Sequence, residues 1–193
     1  MKTKPMKIVA FSSTPRSKGN SDILADEILK GAVELGAETE KVRLHGLEIQ
    51  PCSACNACQK CAEAPCIIKD DMQCLLNKMR SADAFVFASP IYFCSVNAQM
   101  KLFLDRWYSL FKEGNTDAVR GKRMALAFTY GDKDPFTSGT VNALRMFQDA
   151  GFALGIDLVG WVHASCLEAG EVLDNPGTLQ AARMLGQKLA KPK

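Results

Sequence analysis

Five of the chain's eight cysteines fall within fifteen residues, in the stretch PCSACNACQKCAEAPCIIKDD that runs from Pro51 to Asp71. Cys52, Cys55, Cys58 and Cys61 recur at every third position, and Cys66 follows after a gap. Thiolates spaced this way can wrap one side of an iron–sulfur cubane, with a more remote cysteine closing the set. Two sets satisfy the pattern: Cys52, Cys55, Cys58 and Cys66, or Cys55, Cys58, Cys61 and Cys66. Zinc competes, since four thiolates also bind it tetrahedrally, but structural zinc sites usually join two separated knuckles rather than crowd one loop. Free or redox-active thiols are the third possibility. The start of the chain, MKTKPMKIVAF, has too short an apolar run for a signal peptide, so a cytoplasmic protein is expected, and in a reducing compartment structural disulfides are disfavoured.

Three further loops carry chemistry-bearing residues. SSTPRSKGNS offers Ser12, Ser13, Thr14, Ser17, Asn20 and Ser21 with Arg16 and Lys18, just before a helix. Backbone N–H groups and short hydroxyls at a helix start can surround a phosphate, and the helix dipole favours its charge. The loop matches neither G-x-x-x-x-G-K-S/T nor G-x-G-x-x-G, which argues against a nucleoside triphosphate or a dinucleotide. SPIYFCSVNA sets Tyr92 and Phe93 at a strand end, where an aromatic cofactor such as flavin can lie, or where the two rings simply seal the sheet. TYGDKDPFTSG is the third.

These loops need a scaffold that brings them together. KIVAF, DAFVFASP, RMALAFTY and IDLVGWVHAS are apolar runs of strand length, and ETEKVRL alternates like an edge strand. Helical spacing follows over residues 21–36 with Ser21 as N-cap, from Asp70 or Asp71 through Met79, over 97–111 with Asn97 capping, over 140–153, and from Pro176 to about Leu189. Strands alternating with helices predict an α/β, doubly wound, five-stranded parallel sheet with helices on both faces. In such sheets ligands sit beyond the carboxyl ends of the strands, so the loops after the first, third and fourth strands should build the site.

Taken together, these residues resemble the flavodoxin-like, NAD(P)H-dependent FMN reductases, and within them the iron–sulfur flavoproteins. The family's G-S-P-R followed by G-N-S/T appears as STPRSKGNS, with Ser13 in the glycine's place. Its flavin loop appears as SPIYF, its K-x-F-x-D-R helix as KLFLDR (Lys101 to Arg106), and its C-x-I-x-D-D-M as CIIKDDM. The resemblance implies non-covalent FMN, with phosphate held by Ser12, Thr14, Arg16, Ser17, Asn20 and Ser21. It places the ring near Pro90, Ile91, Tyr92 and Phe93, faced by Thr129, Tyr130 and Gly131. The family's first cluster ligand follows a proline, as Cys52 follows Pro51, and its last stands shortly before Asp-Asp, as Cys66 does. That favours a 4Fe–4S cluster on Cys52, Cys55, Cys58 and Cys66, with Cys61 spare. It further implies an electron-transfer oxidoreductase served by NAD(P)H, a small molecule or a ferredoxin-like partner, in a homodimer or homotetramer. The competing readings are an NAD(P)H-dependent flavin or quinone reductase without a cluster, and a zinc-stabilised flavodoxin-like binding domain without redox activity. No side-chain acid or base is expected, because the flavin carries the chemistry.

Size and composition agree with this. A chain of 193 residues, 47% hydrophobic and 23% charged, suits one globular domain with a cysteine-rich insertion at about 48–70. A net charge of +3 is too small to imply nucleic acid, and no run of about 18 apolar residues offers a membrane span. Lys101 and Asp105 are read as a surface pair, the stripe of Phe103, Trp107 and Phe111 as core or dimer surface, and His163 as structural. Cys74 and Cys166 are read as core residues and Cys94 as a small buried filler.

Overall fold

The computed structural model describes residues 4–60, 66–111 and 116–191. Five parallel strands form its body: β1 (Lys7–Ser12), β2 (Glu38–Arg43), β3 (Ala84–Tyr92), β5 (Arg123–Tyr130) and β6 (Asp157–Ser165), in the order β2-β1-β3-β5-β6. A two-residue β4 (Ser95–Val96) folds back antiparallel on the end of β3. So short a strand has no periodicity for a sequence to display. ETEKVRL forms the half-exposed edge, as its alternation predicts.

Side-chain alternation along the strands divides the core into two layers. Val9, Phe11, Phe85 and Phe87 face α3 (Met72–Ser81), α4 (Ala98–Asp105) and α5 (Thr140–Leu154). Phe87 anchors that layer, 4.9 Å from Trp107 and 5.2 Å from Phe147 between ring centres. Such pairs add about 0.5–1.5 kcal/mol each beyond area burial. Ile8, Ala10, Ala84 and Ala125 face α1 (Asn20–Val33) and α6 (Pro176–Ala190). Those two helices touch backbone to backbone: a Cβ on Gly31 would lie 1.9 Å from the Arg183 carbonyl oxygen, and one on Gly186 1.8 Å from that of Ile28.

Several local expectations change. α1 starts at Asn20, not after a Ser21 cap; Gly19 takes the cap position, where a Cβ would meet Thr14 Oγ1 at 2.4 Å. Asp71 occupies the α3 cap position without a side-chain bond to the helix, while Asp70 Oδ1 accepts from Met72 N at 3.1 Å. The helix expected over 97–111 is α4 followed by a 3₁₀ turn, Arg106–Leu110; Asn97 does cap it, accepting from Met100 N. Cys74 and Cys94 are exposed, not core or filler. Cys74 sits on the outer face of α3, and Cys94 lies with Phe93 in the two-residue β3–β4 turn, both at positive φ. The stripe splits, with Phe103 and Trp107 buried and Phe111 exposed. Among the described residues no helix is long and apolar enough to cross a membrane.

Candidate functional site

The carboxyl ends of β1, β3 and β5 open on one cleft. Thr14, Arg16, Gly19 and Asn20 line it from the β1–α1 loop, Pro90, Ile91 and Tyr92 from the end of β3, and Thr129, Tyr130 and Gly131 from the end of β5. Cys166 and Leu167, just after β6, complete the wall. The strand-end rule applied to β1, β3 and β5 does not reach those two, although the end of the neighbouring strand is where to look for them.

The phosphate-type loop is held from several sides. Asn97 Nδ2 donates to the Ser13 carbonyl at 2.7 Å, and Ser13 N and Oγ both donate to the Ala88 carbonyl, so the loop is pinned to β3. Arg43, at the end of β2, donates to the Thr14 and Arg16 carbonyls at 3.5 and 3.4 Å. That residue carried no sequence signal. Arg16 Nη1 donates to the Leu167 carbonyl at 2.6 Å, tying the two walls together. Asn20 is occupied on both sides, donating to the Glu168 carbonyl and accepting from Val172 N, so its side chain braces the β6–α6 connection. Ser12 and Ser21 are buried, with hydroxyls that have no partner among the described residues. Ser17 is exposed and outside the lining, as is Phe93, at 103% relative exposure.

On the opposite wall, Tyr130 Oη lies 2.9 Å from His163 Nδ1, and His163 stacks on Trp161. Burial raises the Tyr130 hydroxyl and lowers the imidazole, so both groups favour their neutral forms, and the imidazole tautomer sets which of the two donates. Burial also pushes the Cys166 thiol up to about 11.

The match to the family described as NADPH-dependent FMN reductase covers residues 6–152. The chain belongs to this family. It is 32% identical over 188 residues to an iron–sulfur flavoprotein of Archaeoglobus fulgidus, covering 96% of this chain and 80% of that one. With an iron–sulfur flavoprotein of Methanocaldococcus jannaschii it shares 42% identity over 101 residues, 52% of this chain and 51% of the relative, and so spans about half of that relative's length. An NAD(P)H:quinone oxidoreductase structure from Methanothermobacter marburgensis superposes with a TM-score of 0.72 at 17% identity, covering 98% of this chain and all (100%) of that one, which supports the fold. As a family member the protein is a flavin-dependent oxidoreductase. FMN fits the cleft: Thr14, Arg16, Gly19 and Asn20 line it at the start of α1, where backbone N–H groups suit a phosphate, and Ile91, Tyr92 and Leu167 supply an apolar wall, while the buried Ser12 and Ser21 lie outside the lining.

The cysteine segment lies between β2 and α3 and includes one helical turn, α2 (Ala57–Lys60), which carries Cys58. Cys52 and Cys55 are exposed and Cys58 and Cys66 buried; Cys61 lies outside the described residues. The Ala57 N–H, then Ser53 and Lys60, ease the Cys55 thiol below its ordinary value. Both feet of the segment converge on Arg106. Its Nη1 donates to Asp70 Oδ2 at 2.6 Å and Nη2 to Oδ1 at 3.1 Å, the pair being 0% and 1% exposed. Burial alone would lower the Arg106 pKa, but Asp70 and then the Cys66 sulfur outweigh it and hold the guanidinium above its usual range. Lys101 and Asp105 form the expected surface pair at 2.5 Å, so the residue of consequence in KLFLDR is its last. Four thiols fit an iron–sulfur cluster by donor chemistry. Among the described residues, no three Cys, His, Asp or Glu side chains gather into a metal-binding group, so the sulfurs share a loop without surrounding a centre.

Proposed function

We propose that this FMN-dependent oxidoreductase couples its flavin to a 4Fe–4S cluster on Cys52, Cys55, Cys58 and Cys66 and passes electrons to a small-molecule or ferredoxin-like partner. The observation that carries the reading is a five-cysteine segment closed at its neck by a buried Arg106–Asp70 pair, in a chain matched over 96% of its length by an iron–sulfur flavoprotein. When bound, FMN takes electrons in pairs and releases them singly. The chain's own part is to bind and orient: Thr14, Arg16 and the start of α1 hold the phosphate, while Ile91, Tyr92 and Thr129 seat the ring. Tyr130, fixed by His163, keeps one wall in place. NAD(P)H is the proposed donor. Phe93, Phe136 and Phe152, all exposed, support a homodimer or homotetramer, which light scattering would measure.

A second reading, an NAD(P)H-dependent quinone or flavin reductase without a cluster, is favoured by the ungathered sulfurs. Anaerobic purification with iron and sulfide assay and an ultraviolet–visible spectrum separates the two. About four irons per chain are expected, and fewer than about two after reconstitution would leave the second reading. Bleaching of the flavin band on adding NAD(P)H tests the donor in either case.

A further inference from the structure

The chain turns from β3 into β4 through two strained residues. Phe93 and Cys94 both have positive φ, 46° and 71°, between the paired Tyr92 and Ser95. A two-residue hairpin of this kind favours Asn-Gly, because a β-carbon in the left-handed region crowds its own backbone. Phe93 adds a second cost: at 103% exposure its ring gains nothing from burial. An isolated exposed apolar side chain calls for no explanation by itself. One held on a strained backbone does, since such strain persists only where the surroundings impose it.

Here they do. Asn142, in the first turn of α5, donates from Nδ2 to the Cys94 carbonyl at 3.1 Å. Gly139, at the cap of α5, lies so close to the turn that a Cβ there would come within 2.5 Å of the Cys94 Cα and carbonyl oxygen. The start of α5 therefore clamps the turn and presents Phe93 on a fixed backbone. The ring stands one residue beyond Tyr92, which lines the cleft together with Pro90 and Ile91. An aromatic ring held beside a flavin-type cleft offers a π-face to a flat conjugated molecule, at little conformational cost because few torsions need fixing.

We infer that Phe93 is a specificity-determining residue of this oxidoreductase, stacking on the planar conjugated ring of the small-molecule electron donor or acceptor as it docks at the cleft. The nicotinamide of NAD(P)H and a quinone share that chemistry. The inference rests on FMN occupying the cleft and on a small-molecule partner, and it is independent of the cluster.

The test uses the full chain loaded with FMN and left oxidised, so that NADP+ and menadione bind without reacting, and flavin fluorescence gives a Kd for each. Phe93→Gly removes the ring and suits the positive φ. It is expected to retain FMN, to unfold at no lower urea concentration than wild type, and to bind one or both probes about two- to tenfold more weakly; Phe93→Trp should restore the affinity. The probe that weakens identifies the partner the ring serves. Phe152→Ala, which removes a similarly exposed ring from α5, should change neither Kd. Unchanged affinity for both probes in Phe93→Gly overturns the inference while FMN binding stands. So does an equal loss in Phe152→Ala, or a loss in Phe93→Gly accompanied by a change of mass in light scattering, which assigns the ring to a subunit contact. Wild type that retains no FMN overturns the reading of the cleft, and the inference with it.

Discussion

Asp70 shows how burial and pairing oppose each other in one side chain. Desolvation would raise its carboxyl, yet Arg106 and the Gln50 and Met72 N–H groups hold it below its ordinary value. Because its folded pKa is the lower one, this stabilisation is complete above the unfolded value of about 3.9 and is lost as pH falls through the folded value. Asp70→Asn should cost about 3–5 kcal/mol at pH 7, because it leaves Arg106 buried and uncompensated, and the deficit should shrink toward pH 3. Urea unfolding at the two pH values checks this; an equal deficit at both would contradict it. The cysteines differ in the same way by environment. In metal-free protein at pH 8, iodoacetamide should label Cys55, whose thiol is eased down, well before Cys166, held near 11. Peptide mass spectrometry over a time course reads the order.

Among the elements, α4 begins where the site is braced. Asn97 is buried, accepts from Met100 N at 3.3 Å and donates to the Ser13 carbonyl at 2.7 Å, so one side chain both starts the helix and pins the phosphate loop. Asn97→Ala should cost about 1 kcal/mol from the lost cap, more for the stranded Ser13 carbonyl, and should weaken FMN binding. Flavin fluorescence titration is the measurement, and unchanged affinity would detach α4 from the loop. The α1–α6 contact is sensitive for another reason. Gly186→Ala places a methyl 1.8 Å from the Ile28 oxygen, where backbone must move; a loss of about 1–3 kcal/mol in chemical denaturation is expected, without a change in the flavin spectrum.

At the scale of the molecule, the cleft joins segments from across the sheet: the β1–α1 loop, the ends of β3 and β5, and the residues after β6. A ligand that binds only this assembled cleft stabilises the folded state by mass action, about 2.7 kcal/mol at a hundred times its Kd. For a chain of this size that corresponds to about 5–10 °C. Removing FMN should lower Tm by that amount in scanning calorimetry, and re-addition should restore it; an unchanged Tm would mean that FMN does not occupy the cleft.

The sequence by itself determined the parallel sheet, the edge position of β2, the Asn97 cap and most of the cleft, because these rest on local patterns: apolar runs, helical spacing and short polar loops at strand ends. It also determined that five cysteines share one loop. Only the tertiary structure decided that Asn20 is spent on the β6–α6 connection, that Arg43 and Leu167 belong to the site, and that Cys94 is exposed at positive φ. Arg106 is the clearest case: within KLFLDR it looks like one more charge on a helix, and its role appears only when Asp70, 36 residues away, is packed against it. Burial of a charge and the partner it meets depend on chain segments far apart in sequence, and no local periodicity encodes them.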